Sequence, residues 1–256
     1  MPEAAAGAPA RLAGVHLATI TALFVAWQLV AVAVHADYLP GPSVVLPRLA
    51  SLLADPSLWG ALAASLRRLT IAFVVAVACG IALGLVIGRS ALARTLIEPL
   101  LALSYPIPKA AVLPIVMLWF GAGDVSQVFV IATTATLPVI YHTADGARRV
   151  DERLMWAAAS MGSRPLRQLV RIVLPGTLPE IAAGCRTGVV MALIVMVTAE
   201  MISRQDGIGS LLFVRFDMGQ NVDMYALIVL LGLVGLALDT AFDLLRRRLT
   251  RWADTR

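Results

Sequence analysis

The amino-acid sequence predicts an all-α polytopic membrane protein with about six transmembrane helices and a two-helix loop on the cytoplasmic side. Apolar side chains make up 59% of the 256 residues and charged ones only 14%, and the mean hydropathy is +0.84. The apolar residues occur in long runs and not at the spacings of an amphipathic helix or strand. Because one soluble core is too small to hide this much apolar surface, the runs are predicted to lie in a bilayer.

The positions of the runs predict the individual helices. A bilayer core of about 30 Å requires about 20 largely apolar residues per helix. Run length and the gaps between charges mark six spans, at about 14–34, 70–88, 98–120, 125–144, 182–203 and 225–245. The first run is long enough to span by itself and Met1–Ala10 contains no basic residue, so we expect a retained helix and not a cleaved signal peptide.

The third span is the least regular of the six. Pro106, Pro108 and Pro114 lie inside it, and each proline removes a backbone donor and tends to break or kink a helix. A broken helix at membrane depth is tolerated only where protein or a water-filled cavity covers the exposed backbone.

Arginine positions orient the spans. With a cytoplasmic N-terminus, fourteen arginines fall on the inner side and five on the outer side, the five being Arg48, Arg67, Arg68, Arg204 and Arg215. Basic residues favour the cytoplasmic side of a membrane, so this asymmetry predicts that both termini are cytoplasmic. The net charge of +5 and the pI near 9.9 then follow from topology, and they do not require nucleic acid as a partner.

The longest inner loop, residues 145–181, is predicted to contain two short helices joined by a tight elbow. Asp151 and Glu152 suit the first turn of one helix that runs to Met161. Gly162 then supplies a left-handed stop for that helix.

The second loop helix is predicted to be short and basic. Ser163 suits its N-cap, Pro165 its first turn, and Leu174-Pro175 its end after about eleven residues. Its predicted apolar face contains Leu166, Leu169, Val170 and Val173, and its polar face contains Arg164, Arg167, Gln168 and Arg171. Two interpretations remain open: an interfacial helix whose arginines meet anionic lipid headgroups, or a rigid element that docks into a partner protein.

The loop resembles the cytoplasmic signature of the membrane subunits of ATP-binding cassette (ABC) importers that depend on a substrate-binding protein. That signature reads E-A-A, three residues, G, nine residues, I-x-L-P. All but the first position match at the required spacing, and the matching residues are Ala157, Ala158, Gly162, Ile172, Leu174 and Pro175. The glutamate position holds Trp156, so the polar contact that the carboxylate makes in relatives is in doubt here.

The resemblance covers roughly residues 60–245. It extends to SLRRLTIAF at 65–73, GIALGLVIG at 80–88, IPKAAVLPIVMLWFGAG at 107–123 and AEMISRQDGIGSLL at 199–212. This combination is most similar to permeases for nitrate, taurine, alkanesulfonates and thiamine-type pyrimidine precursors. It implies three segments: 1–59 with the tail, first helix and outer loop, 60–245 as the importer domain, and 246–256 as a basic cytoplasmic tail.

The resemblance implies a type I importer in a bacterial inner membrane. Its expected partners are a second permease copy, two cytoplasmic ATPase subunits, an extracytoplasmic substrate-binding protein and membrane lipids. The chain has no G-x-x-x-x-G-K-[ST] loop and its only lysine is Lys109, so ATP and Mg are expected on the ATPase partner and no cofactor on this chain. The residues expected to couple to the ATPase are Trp156, Ala157, Ala158, Gly162, Ser163, Arg164, Leu166, Ile172, Leu174 and Pro175.

Ionisable groups inside spans mark candidates for the translocation path or gate. Lys109 beside Pro108 is a candidate anion-attracting group, and Arg186 and Glu200 are the other two. For each, an equal alternative is that the side chain lies near a span end and snorkels or pairs there. Glu200 beside the Gly207–Gly209 turn is either structural or part of an outer gate.

Several other features have simpler interpretations. Gly80, Gly84 and Gly88 at four-residue spacing indicate close helix packing. Cys79 and Cys185 are predicted to be small core residues, with no disulfide or metal site.

Two other classes of protein fit parts of the sequence. An ion-coupled secondary transporter would also contain broken helices, but six spans are few and the two-helix loop would have no role. A structural or enzyme-anchoring membrane protein is disfavoured because no catalytic constellation is present. The expected substrate is a small organic anion such as a sulfonate or taurine, or nitrate, with a pyrimidine precursor or other aromatic compound as the alternative.

Overall fold

The computed structural model describes residues 8–250 as a helical chain without β-strands in that range. Its elements, in chain order, are α1 (Ala8–Val34), α2 (Pro42–Leu52), α3 (Pro56–Arg89), α4 (Ala91–Ser104), α5 (Lys109–Phe120), α6 (Asp124–Arg149), α7 (Glu152–Ser160), α8 (Pro165–Gln168), a π-helical turn (Leu169–Val173), α9 (Leu174–Ser203), α10 (Ile208–Asp217) and α11 (Asn221–Leu249). Most of the predicted basic tail at 246–256, and the first residues of the predicted N-terminal segment, lie outside the described residues.

The chain divides into two compact units. Unit 1 comprises the residues up to Trp59 with Leu212–Leu230. Unit 2 comprises Gly60–Leu211 with the residues from Leu231 on.

Within residues 8–250, four helical segments are long and apolar enough to cross a bilayer: Pro56–Arg89, Asp124–Arg149, Pro165–Ser203 and Asn221–Arg248. The pair α4–α5 counts as a fifth span if its two halves are taken together, and α1 adds a shorter apolar segment, Ala18–Val34. The predicted all-α polytopic class is therefore confirmed. The predicted span at 98–120 is not one helix, because α4 and α5 meet at an angle of 100° across the Pro106 and Pro108 break.

The core of unit 2 forms where α3 and α9 pack closely against α6. A side chain at Gly84 would begin 2.5 Å from the Thr143 Cβ, and one at Gly184 would begin 2.8 Å from the His142 Cβ. Gly80 and Gly88 face α6 in the same way, against its residues 139 and 147. Only glycine permits this approach, so the predicted packing role of the Gly80, Gly84 and Gly88 series is confirmed.

The two cysteines have different environments. Cys185 on α9 is buried and packs with Val139 and Ile181. Cys79 on α3 is exposed, so the prediction of a core position is wrong for this residue. The face of α3 that packs against α6 carries the glycines, and Cys79 lies off that face.

Unit 1 has its own polar and aromatic contacts. The Arg48 guanidinium on α2 pairs with the Asp223 carboxylate on α11, with Nη2 donating to Oδ2 at 2.9 Å. This hydrogen-bonded carboxylate raises the pKa of Arg48 above its ordinary value. The rings of Trp27 and Tyr225 stack with centroids 6.1 Å apart. Arg48, which the sequence only counts among the outer-side arginines, is therefore part of a fixed contact.

Candidate functional site

The elbow after α7 is closed by backbone hydrogen bonds. The Asp151 side chain caps the start of α7 by accepting from the backbone N–H of Arg153 at 2.9 Å. At the other end Gly162 has φ +77°, and the N–H groups of Gly162 and Ser163 donate to the Ala159 and Ala158 carbonyls, both at 2.9 Å. This is a Schellman motif, and it requires a residue that adopts a left-handed conformation at Gly162. The predicted stop is confirmed.

The second helix of the loop begins one residue later than predicted. Arg164 and not Ser163 is the N-cap of α8, with Pro165 in the first turn. The Ser163 carbonyl instead accepts from Gln168 Nε2 at 3.0 Å. The backbone of Ser163 is already used in closing the elbow, so the helix starts beyond it.

Leu174-Pro175 does not end the second helix. The Leu174 N–H donates to the Leu169 carbonyl, a five-residue spacing, and the helix continues into α9. A π-helical turn widens the helix just before Pro175, which relieves the clash between a proline ring and the preceding turn and accommodates its missing donor. The loop and the following span are therefore one continuous helical segment, Pro165–Ser203.

Burial separates the loop into an anchored side and an exposed side. Leu169 and Val173 pack against the core of unit 2 at Leu85 and Ala147. The predicted single apolar face of the second helix is thus split, and Gln168, predicted as polar-facing, is buried. The large apolar side chains on the other side of the loop are exposed: Leu154 56%, Trp156 65%, Met161 81%, Leu166 72% and Val170 54%.

The remaining predicted coupling residues lie along the same loop. Ala158 is buried, and Ile172, Leu174 and Pro175 are half-buried. The two helices and their connection are here called the loop elbow (residues 152–171). Five of the predicted residues are exposed in it, and the five are Trp156, Ala157, Gly162, Arg164 and Leu166. The half-buried residues lie at the root of this elbow.

Lys109 lies at the break between α4 and α5. Its Nζ donates to the Ser104 carbonyl and, at 3.1 Å, to the Ile107 carbonyl. Pro108 is the N-cap of α5. Lys109 also lines a largely apolar cavity of about 790 Å³ between α3, α4 and α6. The ammonium thus donates to two carbonyls at the break between the helices, in addition to the Ile107 N–H that bonds the Ser104 carbonyl at 3.3 Å.

Arg186 forms an ion pair, which is one of the alternatives that the sequence leaves open for this residue, with a partner that the sequence does not identify. Its Nε and Nη2 donate to the two carboxylate oxygens of Asp239 on α11, at 2.6 and 2.7 Å. Asp243, one turn further along α11, lies 3.6 Å from Arg186 Nη1. The sequence does contain a signal, since Asp239 and Asp243 are carboxylates in or beside a predicted span at i, i+4 spacing.

Glu200 belongs to a group of polar and charged side chains, here called the Arg68 cluster (Ser65, Arg68, Asp124, Glu200 and Asp206), in which Asp124 is half-buried and Asp206 is exposed. Arg68 is 1% exposed and Glu200 0%. Arg68 Nη1 donates to Glu200 Oε1 at 3.0 Å and to the Asp206 carbonyl at 2.8 Å, and Nε donates to Asp124 Oδ1 at 2.6 Å. The sequence places Arg68 on the outer side without any contact, whereas the structure encloses its side chain between α3, α6 and the end of α9.

The second carboxylate oxygen of Glu200 is also hydrogen-bonded. Oε2 accepts from Ser65 Oγ at 2.8 Å and from the Gly209 N–H at 2.9 Å. Ser65 Oγ in turn accepts from the Ile208 N–H at 2.9 Å. The Glu200 carboxylate is therefore enclosed by protein donors, which favours the structural one of its two predicted roles.

At the opposite ends of α6 and α9, a second polar group forms. His142 Nδ1 lies 3.5 Å from Glu180 Oε2. Arg149 pairs with Asp145 and lies 3.7 Å from Glu180. These side chains pair with one another at the helix ends.

The spanning helices define a multi-pass membrane protein, and its family places it among transport permeases. The chain belongs to the family of binding-protein-dependent transport system inner membrane components, whose model matches residues 76–252.

Named relatives place the chain within this family. It is 31% identical over 243 residues to the taurine transport system permease protein TauC of Escherichia coli (strain K12), covering 92% of this chain and 88% of that protein. It is 29% identical over 222 residues to the putative aliphatic sulfonates transport permease protein SsuC of Bacillus subtilis (strain 168), covering 87% and 80%. It is 30% identical over 194 residues to the nitrate import permease protein NrtB of Leptolyngbya laminosa, covering 76% and 70%.

The fold is similar to that of a solved ABC transporter. A structure of the MetNI methionine ABC transporter in an inward-facing conformation matches with a TM-score of 0.61 at 17% identity, covering 76% of this chain and 94% of that chain. The chain is thus a multi-pass inner-membrane permease of an ABC importer, of the nitrate, taurine and sulfonate subgroup, and ATP hydrolysis takes place on a separate subunit.

Proposed function

We propose that this permease imports a small anion, with an organic one such as a sulfonate or taurine as first choice and nitrate next. The support is the named substrates of its relatives, a taurine permease, a sulfonate permease and a nitrate permease. A thiamine-type pyrimidine precursor or another aromatic compound is the alternative substrate. Ion-coupled secondary transport is the alternative of a different class, and family membership counts against it.

The loop elbow is the proposed contact with the ATPase. The observation that carries this proposal is the contrast between its two sides: Leu169 and Val173 fix the loop to the core, while Trp156, Met161 and Leu166 remain more than 60% exposed. Large apolar side chains on a rigid, exposed element are typical of the anchors of protein interfaces. A helix that only lies on lipid needs no such fixed elbow.

The proposed assembly contains two copies of this chain, two ATPase subunits that bind ATP and Mg, and one extracytoplasmic binding protein. Both termini and the loop elbow are proposed to face the cytoplasm, with residues 1–59 as an N-terminal segment, 60–245 as the importer domain and 246–256 as a tail. Closure of the ATPase dimer on ATP would then move the two loop elbows together and tilt the attached spans.

For the translocation path we propose a role for Arg186 with its partner Asp239. Arg186 keeps 42% of its side chain exposed although it is paired, so its charge is held in place and remains accessible. Glu200 is enclosed, and Lys109 donates two hydrogen bonds to carbonyls at the α4–α5 break. Lys109, Pro108 and Glu200 are therefore proposed to shape the path and not to contact the solute.

Expression of the chain with its genomic neighbours tests the proposed function. An ATPase subunit is expected to co-purify, and uptake by proteoliposomes is expected to follow ATP and not a proton gradient. If no ATPase co-purifies and uptake depends on the proton gradient, the protein is a secondary transporter and the proposed function is wrong. Binding measurements on the neighbouring binding protein with taurine, alkanesulfonates, nitrate and a pyrimidine precursor identify the solute.

Two matched leucine variants test the coupling contact. Leu166→Ala removes a side chain that is 72% exposed, so it is expected to weaken ATPase co-purification while changing the free energy of unfolding by no more than about 0.5 kcal/mol. Leu169→Ala removes a side chain that packs into the core, so it is expected to lower the free energy of unfolding by about 2 kcal/mol. If Leu169→Ala, the less stable variant, also loses more ATPase than Leu166→Ala, the docking role is contradicted.

A further inference from the structure

The Arg68 cluster connects three helices and a turn that are distant in sequence. Ser65 and Arg68 lie on α3, Asp124 begins α6, Glu200 lies near the end of α9, and Asp206 lies in the turn that leads to α10. Next to the cluster, the side chain of residue 127 on α6 donates from Nε2 to the Oγ of residue 203 on α9 at 3.0 Å. The contacts therefore gather the interior of α3, the start of α6 and the end of α9 around one guanidinium.

The two buried charges of the cluster are hydrogen-bonded at every nitrogen and oxygen atom that carries them. Each guanidinium nitrogen of Arg68 has an acceptor on Asp124, Glu200 or Asp206. Buried charges are tolerated only when paired and hydrogen-bonded, and removal of one partner leaves the other uncompensated. Such a group has one favourable geometry, so it fixes the relative positions of the elements that supply it.

The turn between α9 and α10 is shaped to meet this cluster. Gly207 has φ +130° and Gly209 approaches α9 so closely that an added Cβ would lie 2.5 Å from the Val197 carbonyl oxygen. This approach brings the Gly209 N–H to Glu200 and the backbone N–H of the residue before it to Ser65. The turn is therefore bound through its backbone as well as through the Asp206 side chain.

We propose that Arg68 and Glu200 are positioning residues that fasten the α9–α10 turn to α3 and α6, so that these segments move as one body when the permease changes conformation. The inference rests on the ATP-driven cycle proposed above. Neither residue contacts the transported solute in this role.

Distance measurements between two spin labels test the inference in the intact transporter. The labels are placed at Ala63→Cys on α3 and Gln205→Cys in the turn, both exposed positions, with Cys79 and Cys185 replaced by alanine. The complex with its ATPase subunits is studied in nanodiscs, without nucleotide and after trapping with ATP and vanadate. Labelled chains are diluted with unlabelled copies, so that only the two labels within one chain are measured. For that pair one narrow distance is expected in both states, with a difference within about 1–2 Å.

Two variants separate the cluster from its surroundings. Glu200→Gln keeps the shape and removes the charge, and a broadened or second distance is expected. Arg67→Gln is the matched control, because Arg67 also contacts Asp124 but is 58% exposed, and its distance is expected to stay narrow. Two results would overturn the inference. One is an unchanged label-to-label distance in Glu200→Gln, and the other is a large change in that distance between the two nucleotide states of the labelled protein without further substitutions.

A double-mutant cycle measures the pairing of Arg68 with Glu200 through stability. It remains informative even if a single variant is destabilised. Arg68→Met alone is expected to lower the unfolding temperature of the complex more than Arg68→Met with Glu200→Gln, since the double variant leaves no buried uncompensated carboxylate at position 200. A double variant that is less stable than Arg68→Met would contradict the pairing. These readouts do not depend on the identity of the solute, so an error in the proposed substrate leaves them unaffected.

Discussion

Substitution of Gly162 separates the fold of the loop elbow from its contact with the ATPase. Gly162 has φ +77° and an added Cβ would meet nothing within 4 Å. A side chain there therefore costs only backbone strain, about 1–2 kcal/mol for alanine in a left-handed conformation and less for asparagine or aspartate. At about 2–4 °C per kcal/mol for a chain of this size, Gly162→Ala is expected to lower the unfolding temperature by roughly 2–8 °C.

The substitutions of Gly162 are expected to affect transport in the opposite order to stability. Asparagine and aspartate strain the elbow less than alanine, but they project further from a surface that is proposed to enter a cleft. We therefore expect Gly162→Asn and Gly162→Asp to reduce ATP-driven uptake more than Gly162→Ala, by about tenfold or more for aspartate. Uptake is measured in proteoliposomes and stability by thermal unfolding of the same preparations.

Comparison of uptake with stability shows whether Gly162 matters only for the fold of the elbow or also for contact with the ATPase. If uptake follows stability, so that alanine is the most damaging substitution, the elbow acts only through the fold and the docking proposal fails. Normal uptake in Gly162→Asp would refute it directly.

Three further predictions concern other parts of the chain. Trp156→Glu restores the residue of the family pattern at a position that is 65% exposed. We expect unchanged stability and weaker stimulation of the ATPase, because a charged carboxylate replaces a large apolar side chain in the proposed contact. Stronger stimulation would contradict this. Gly84→Val places a side chain 2.5 Å from the Thr143 Cβ and is expected to lower the unfolding temperature, whereas Gly232→Ala, with nothing within 4 Å, should leave it equal or slightly higher. Lys109→Met is expected to lower stability without raising the KM for uptake, and a raised KM would instead indicate that the ammonium attracts the solute.

Local rules predicted the features that depend on neighbouring residues. Gly162 stops α7 because a left-handed residue is needed within one turn, and Pro106 and Pro108 break the third span for reasons contained in the ring itself. The same rules failed at Pro175, since they treat a proline as a helix end and do not anticipate a π-helical turn that accommodates it.

Long-range pairing was beyond a single sequence. Arg68 and Glu200 are separated by 132 positions, and nothing near either residue indicates that the other is its partner. Arg67 and Arg68 are equivalent in a count of charges, yet adjacent side chains on a helix point in different directions, and here one is exposed and the other buried. Asp239 could have been found, because a carboxylate in an apolar run is a signal by itself.

The continuity of the helix through Leu169–Val173 has a mechanical consequence. Pro165–Ser203 is one 39-residue helical segment, with a contour of about 58 Å at about 1.5 Å per residue. The loop elbow lies at one end of this rod and Glu200 at the other. If the rod is stiff, a rotation of about 5° displaces one end relative to the other by about 5 Å. A small angular stroke delivered at the ATPase would therefore reach the far side of the membrane without any rearrangement inside the helix.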